Sequence, residues 1–240
     1  MYKMIHKIFD NIEFDGIEYD EDMLFSPDLA KAFLDKSLSR NANDTSLKLM
    51  DAKVDISRKS IRKYDNRLIS KEDFSNVISV LRQIKIGKTI KYSYPSAGGL
   101  YPIDIYVCIK EGRIEGYKEG IYKYDEINHG LRLLSENIVD VKAHYFNNRE
   151  IYNSSAFSLQ FFYRPDMSYP KYGGMGLFYG ILDTGIILEK LTDAAHKNNM
   201  GSCIIGDINF EKVDSSYVDN NSIYLVCMEV GYVDEDNEQL

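Results

Sequence analysis

Cysteine and histidine are sparse in this chain. Cys108, Cys203 and Cys227 form no CxxC pair and no even framework, so no disulfide scaffold is expected and the expected compartment is a reducing cytoplasm. His6, His129, His144 and His196 stand far apart, with no HExxH and no Cys/His cluster, so no metal site is expected. No apolar run reaches the roughly 18 residues of a membrane span. Acids interrupt the apolar residues of the first 25 positions, unlike a signal peptide. GxxxxGK[ST], a GxGxxG opening a helix after a strand, and GxSxG are all missing. Phosphate-loop, dinucleotide-fingerprint and serine-elbow chemistries therefore lose their usual signals. There is no internal repeat and no low-complexity linker.

What is present describes a folded chain with a sizeable core. Its 240 residues are 44% hydrophobic and 28% charged, which excludes a disordered chain. A chain of this length hides roughly 70–75% of its unfolded surface. It fits one large domain or two smaller ones. The net charge of −8 is unevenly spread. Residues 1–56 carry 7 bases and 12 acids, residues 57–91 carry 10 bases and 3 acids, and residues 207–240 carry 1 base and 9 acids. No nucleic-acid partner is expected, because duplex binding needs a broad basic face. The basic stretch at 57–91 is either a local anion site or a solvated helix face.

Periodicity places the elements. Ser26-Pro27-Asp28 opens a capped helix, and residues 39–56 read as a connector. Ser70 caps a second helix with Asp73 at its third position, and Phe74, Val77, Ile78, Leu81 and Ile84 follow at helical spacing. Residues 103–109 alternate and are β-branched, which predicts a strand. Residues 120–134 predict a hairpin turning near Asn128-His129-Gly130. Residues 156–163 and 222–233 are further strands. The longest helical pattern runs over about 177–199, stopping before Met200-Gly201 as its cap. Its apolar residues run nearly all round, so it is expected to be central and buried. Gly180 and Gly185 within it point to close packing or to a ligand. Strands and helices without regular alternation predict an α+β fold.

Three motifs carry possible chemistry. In Ser57-Arg58-Lys59-Ser60-Ile61-Arg62-Lys63-Tyr64, a turn would bring Arg58, Ser60 and Arg62 together. Two guanidinium forks and a hydroxyl suit a phosphate monoester; the plain alternative is an exposed basic turn. In Tyr94-Pro95-Ser96-Ala97-Gly98-Gly99-Leu100-Tyr101-Pro102, prolines stiffen the loop and glycines strip its middle. Such backbone can approach a flat or anionic ligand, or it can be a tight turn alone. Tyr169-Pro170-Lys171-Tyr172-Gly173-Gly174-Met175-Gly176 precedes the long helix and offers free N–H groups at a helix start. Lys171 beside Tyr172 is a potential acid–base pair, or a surface lysine next to an interfacial tyrosine.

Taken in this order over about residues 57–232, these motifs resemble the nitroreductase-like flavoproteins, and among them the SagB-type azoline dehydrogenases. The resemblance is carried above all by YPSAGGLYPIDIYV and by PKYGG before the helix. It implies an α+β nitroreductase-like fold: a central, mostly antiparallel sheet flanked by helices, with a long buried helix. It also implies FMN and a homodimer with the flavin at the subunit interface. Residues 57–240 would be the FMN domain and 1–56 an N-terminal extension. Arg58, Ser60 and Arg62 would grip the phosphate and ribityl chain. Pro95, Ser96, Gly98, Gly99 and Leu100 would line the isoalloxazine. Within Gly201–Asp207, Ile205 and Gly206 would lie nearest N5. Lys171 and Tyr172 would be the catalytic pair.

The activity so implied is oxidation of a thiazoline or oxazoline to a thiazole or oxazole. The substrate would be borne on a ribosomal peptide or a carrier protein, with a cyclodehydratase or nonribosomal synthetase as partner. The ring loses a proton to a base and a hydride to the flavin, and oxygen restores the cofactor. This chain departs from the subfamily pattern at Met175 and Phe178, where arginines are common, and at Asp183, where glutamate is. It also departs at Ile186, for histidine, and at Glu189-Lys190, for Gln-Asn. The tail Asp234-Glu235-Asp236 adds no base to hold a phosphate. The rival expectations are an NAD(P)H-dependent nitro or quinone reductase and a scaffold subunit of a peptide-modifying complex.

Overall fold

The structure is a computed structural model that describes residues 49–53, 57–206, 208–209, 215–219 and 221–234. The chain divides into two units, residues 1–56 and 57–240. Every strand and helix among the described residues belongs to the second. The expected helix from Ser26, most of the 39–56 connector, Asp207 and Glu235-Asp236 lie outside the described residues.

Alternation along one strand sets the architecture. In β3 (Ile103–Ile109), Ile105, Val107 and Ile109 enter one apolar cluster. Tyr106 and Cys108, pointing to the other face, enter a second. The strand is therefore buried on both sides. So is its neighbour β6 (Phe157–Tyr163), in which every residue is buried. The main sheet has the order β5-β4-β3-β6-β8-β7. The other strands are β4 (Gly120–Asp125), β5 (Gly130–Ser135), β7 (Met200–Ile205) and β8 (Ile223–Tyr232). All five neighbouring pairs are antiparallel. The predicted α+β class is borne out.

Helices cover each face. On the first, α1 (Lys71–Ile78) supplies Phe74, Val77 and Ile78. The long α4 (Met175–Lys197) supplies Ile187, Leu188, Leu191 and Ala195. On the second, α2 (Phe146–Ser154) places Tyr152 against Cys108 and Cys227. The Ser70 hydroxyl accepts from the Asp73 N–H at 3.0 Å, as the cap signal predicts. That helix ends earlier than its spacing suggests. Ile84 instead opens a separate two-stranded hairpin, β1 (Ile84–Ile86) and β2 (Thr89–Lys91), turning at Gly87 with φ +61°.

Two further expectations change. α4 ends at Lys197 with Asn198 as its cap and Asn199 at φ +57°, while Met200 and Gly201 already belong to β7. One face of α4 is buried as expected. On the other, Met175, Phe178, Ile181, Leu182 and Ile186 are 37–51% exposed. A helix apolar all round needs cover on both sides, and the described residues of this unit cover one. Gly180 is a packing glycine: a Cβ there would stand 2.6 Å from the Tyr163 ring, whereas Gly185 meets nothing.

Candidate functional site

Strand polarity brings several segments to one end of the sheet. β3 starts there, β6 and β7 finish there, and β8 starts there. The glycine loop therefore enters β3 at the same end from which β6 leads into α3 (Pro165–Tyr172).

The loop turns sharply. Gly99 N–H donates to the Ser96 carbonyl at 3.0 Å, and φ is +63° at Gly98, +67° at Gly99 and +50° at Tyr101. Glycine enters this left-handed region without strain; tyrosine does not. Tyr101 is held by its ring, stacked on Tyr92 with centroids 3.8 Å apart. Its N–H donates to the Ser96 hydroxyl oxygen at 2.9 Å. That hydroxyl donates in turn to the Asp183 carboxylate at 2.6 Å. Asp183 is buried, and desolvation raises its pKa against the pull of these hydrogen bonds. Gly98 and Gly99 are exposed, and nothing lies within 4 Å of where a Gly99 Cβ would stand. The loop thus presents bare main chain.

Lys171 and Tyr172 are the last residues of α3, which stops at Gly173 with φ +56°. They sit directly over the loop. A Cβ on Gly98 would be 2.4 Å from the Tyr172 hydroxyl oxygen and 2.6 Å from Lys171 Nζ. The two polar ends are therefore no farther apart than the sum of those distances. Lys171 Nζ is 5.2 Å from the centre of the Tyr172 ring, whose edge contact with Tyr179 has a centroid distance of 5.0 Å. Lys171 is exposed and has no ion pair among the described residues. The fold thus joins two motifs that are 73 positions apart, at Gly98 and Lys171. Gly98 is where only a hydrogen fits between the polar ends.

The arginine motif lies elsewhere. Its backbone makes no turn. Ile61 N–H donates to the Ser202 carbonyl at 2.9 Å, and Ile61 packs where Gly201 has no side chain. Arg58, Ser60 and Arg62 are exposed, and neither arginine has an ion pair among the described residues. Lys63 pairs with Asp234 at 3.2 Å. Tyr64 is buried and donates to the Glu229 carbonyl at 3.0 Å. Ile205 ends β7 with its side chain in a small core beside Tyr64 and Cys203. Gly206 is exposed, with open space at its Cβ position. The structure therefore forms two groups, one of loop, Lys171 and Tyr172, the other of Arg58, Ser60 and Arg62 along β7. Strands β6 and β8 lie between β3 and β7, at about 4.8 Å per strand. No hydrogen bond joins the two groups among the described residues.

The model of the nitroreductase family matches residues 56–232. A protein of Methanocaldococcus jannaschii, described as a candidate nitroreductase, is 32% identical over 93 residues, 38% of this chain and 44% of that protein. That match spans less than half of the relative's length. Among solved structures, the E. coli microcin synthetase McbBCD complex with truncated pro-MccB17 bound superposes with a TM-score of 0.69 at 16% identity, over 85% of this chain and 82% of that one. A candidate nitroreductase of Ralstonia eutropha gives 0.60 at 16% identity, over 74% and 80%. One of Anabaena variabilis gives 0.61 at 18% identity, over 74% and 37%. At such identities the likeness is one of fold.

Proposed function

The chain belongs to the nitroreductase family, and from that premise we propose that it is an FMN-dependent, SagB-type dehydrogenase oxidising a peptide-borne thiazoline or oxazoline to the aromatic ring. The observation that carries this reading is the meeting of Lys171 Nζ and the Tyr172 hydroxyl over Gly98. A dehydrogenation that makes an aromatic azole must remove a proton from carbon, and a group of this kind beside the flavin loop can take it.

The residues present fit FMN. Gly99 and Gly206 offer open main chain, Gly98 brings main chain up against the Lys171–Tyr172 pair, and Arg58 and Arg62 are exposed cations with no carboxylate paired to them among the described residues. Planar guanidinium forks suit the phosphate. Pro95, Ser96 and Leu100 complete the wall against which the ring would lie. FMN would supply the two-electron acceptor, chemistry that no side chain here provides. The loop would orient the azoline, and the Lys171–Tyr172 pair would receive its α-proton.

A second copy completes the reading. The exposed apolar stripe of α4, from Met175 to Ile186, is a surface for a homodimer. It would let the arginine group of one subunit serve the glycine loop of another. The likeness to a microcin synthetase complex supports delivery on a peptide and a cyclodehydratase-type partner. No described helix is long and apolar enough to cross a membrane.

The test is to purify the full chain, record its visible flavin band, and offer a thiazoline peptide in air. Loss of two hydrogens by mass, without NAD(P)H, is the expected result. Quinone reduction at the expense of NADPH, with the thiazoline untouched, would transfer the assignment to a reductase.

A further inference from the structure

Asp183 is out of keeping with its side of α4. It is 4% exposed; of the buried residues that follow on the helix, Thr184 spends its hydroxyl on the Gly180 carbonyl, and Ile187, Leu188, Leu191, Ala194 and Ala195 are apolar. A carboxylate in such surroundings is costly unless its oxygens are engaged. They are engaged by the glycine loop and by no cation among the described residues. Oδ2 accepts from the Ser96 hydroxyl at 2.6 Å, and Oδ1 from the Ala97 N–H at a longer 3.4 Å. The Ser96 oxygen accepts from the Tyr101 N–H at 2.9 Å. One buried carboxylate therefore holds the first residues of the turn directly and the last one through a single hydroxyl. Between those points lie Gly98 and Gly99, and three of the four residues from Gly98 to Tyr101 have positive φ. A loop of this shape, rich in glycine, keeps its conformation only where its surroundings impose it. Its main chain at Gly98 also sets the space into which the ends of Lys171 and Tyr172 reach.

We propose that Asp183 is a positioning residue, a latch on the central helix that fixes residues 96–101 against the Lys171–Tyr172 pair through Ser96. The latch is a property of the loop. Its consequence for the cofactor rests on the FMN reading, and the two are tested separately. In the apo chain, amide exchange is followed over 97–101 and over β3 for wild type, Asp183→Asn and Ser96→Ala. Asparagine offers one acceptor oxygen where the carboxylate offers two, so it cannot accept from both Ser96 and Ala97, and alanine at 96 cannot receive the Tyr101 N–H. Each variant should therefore speed exchange at 97–101 at least about tenfold, the scale of a lost hydrogen bond to a charged group. β3 should keep its protection.

Unchanged exchange at 97–101 in either variant overturns the latch. If Asp183→Asn loses protection everywhere, Ser96→Ala decides alone, because it leaves the helix intact. FMN affinity is then read by quenching of flavin fluorescence for both singles and the double variant. Each single should bind about tenfold more weakly, and the double no more weakly than the worse single, since both break one chain of contacts. Effects that multiply would mean two independent structural roles and would refute the latch. A wild-type chain that binds no FMN would refute the cofactor reading and leave the exchange result to stand.

Discussion

Of the four lysines that lie over tyrosine rings among the described residues, Lys110 and Lys171 have different fates. Lys110 Nζ is 4.0 Å from the centre of the Tyr152 ring, and Lys171 Nζ is 5.2 Å from that of Tyr172. Lys110 is buried on the second face of the sheet, 3.7 Å from the Glu229 carboxylate, and donates to the Ser155 carbonyl at 3.2 Å and to its hydroxyl. Glu229 also accepts from Ser155 at 2.5 Å, Ser158 at 2.7 Å and the Cys227 thiol at 3.1 Å. Desolvation pushes Lys110 down and Glu229 pulls it back up, while burial drives Tyr152 far above its ordinary value. No proton can leave that cluster without stranding a charge in apolar surroundings. At the other site Lys171 is exposed, has no carboxylate partner among the described residues, and meets Tyr172 over bare glycine. The residue types are the same. Depth and the carboxylate tie one pair into the core and leave the other at the surface, where the proposed catalytic role needs it.

The sharpest way to break this contrast is to delete the exposed pair. Lys171→Ala and Tyr172→Phe should each lower azole formation about 100- to 10,000-fold, the usual worth of a positioned acid or base. Stability should stay within about 0.5 kcal/mol, as for surface positions. Mass-resolved product formation and urea unfolding on the same preparations measure both. Turnover that survives either substitution would leave Lys171–Tyr172 no more catalytic than Lys110–Tyr152.

The buried pair should behave in the opposite sense. Glu229→Ala leaves the Lys110 charge without its partner and should cost about 3–5 kcal/mol of stability. Activity per folded molecule should be unchanged. Pairing it with Lys110→Met should recover much of the loss, because an apolar side chain needs no counter-charge. Urea midpoints of the two variants decide the matter. A double variant no better than the single would mean that Ser155 and Ser158, rather than the ion pair, hold this face together.

How far the sequence reveals these features depends on distance along the chain. The period of two in residues 103–109 is local, and β3 forms over those residues. Ser70 and Asp73 are three apart, and the cap forms. β7 reads only as backbone near a ligand. Its Gly-Ser-Cys-Ile-Ile run is too short to reveal a strand without β8 beside it. Ile84 fits a helical spacing and is diverted by the Gly87 turn. α4 reads as wholly buried because apolar residues intended for any second surface look the same as core. The candidate site shows the same limit. The glycine loop and the Lys-Tyr pair are each visible as motifs, but their meeting at Gly98 is not. Asp183 reaches Ser96 across 87 positions, and no pattern in the chain joins them.

The smallest effect separates the two sites by pH. His144 is buried at 1% exposure and stacks on Tyr152 with centroids 4.2 Å apart. Neither ring nitrogen has a hydrogen-bond partner among the described residues. Desolvation lowers its pKa, with Glu229 opposing and Lys110 adding to the shift. The native state therefore binds the proton later than the unfolded chain as pH falls. With more protons on the unfolded state, stability drops as pH falls through about 6.5 toward the lower native value. One such group contributes a slope of at most about 1.4 kcal/mol per pH unit. His144→Phe keeps the stacking and removes the proton site. The difference in urea midpoint between pH 7 and pH 5.5, both on the order of the unperturbed histidine range, should shrink relative to wild type. An unchanged difference would mean that the neutral ring at 144 is not what makes the buried face acid-sensitive.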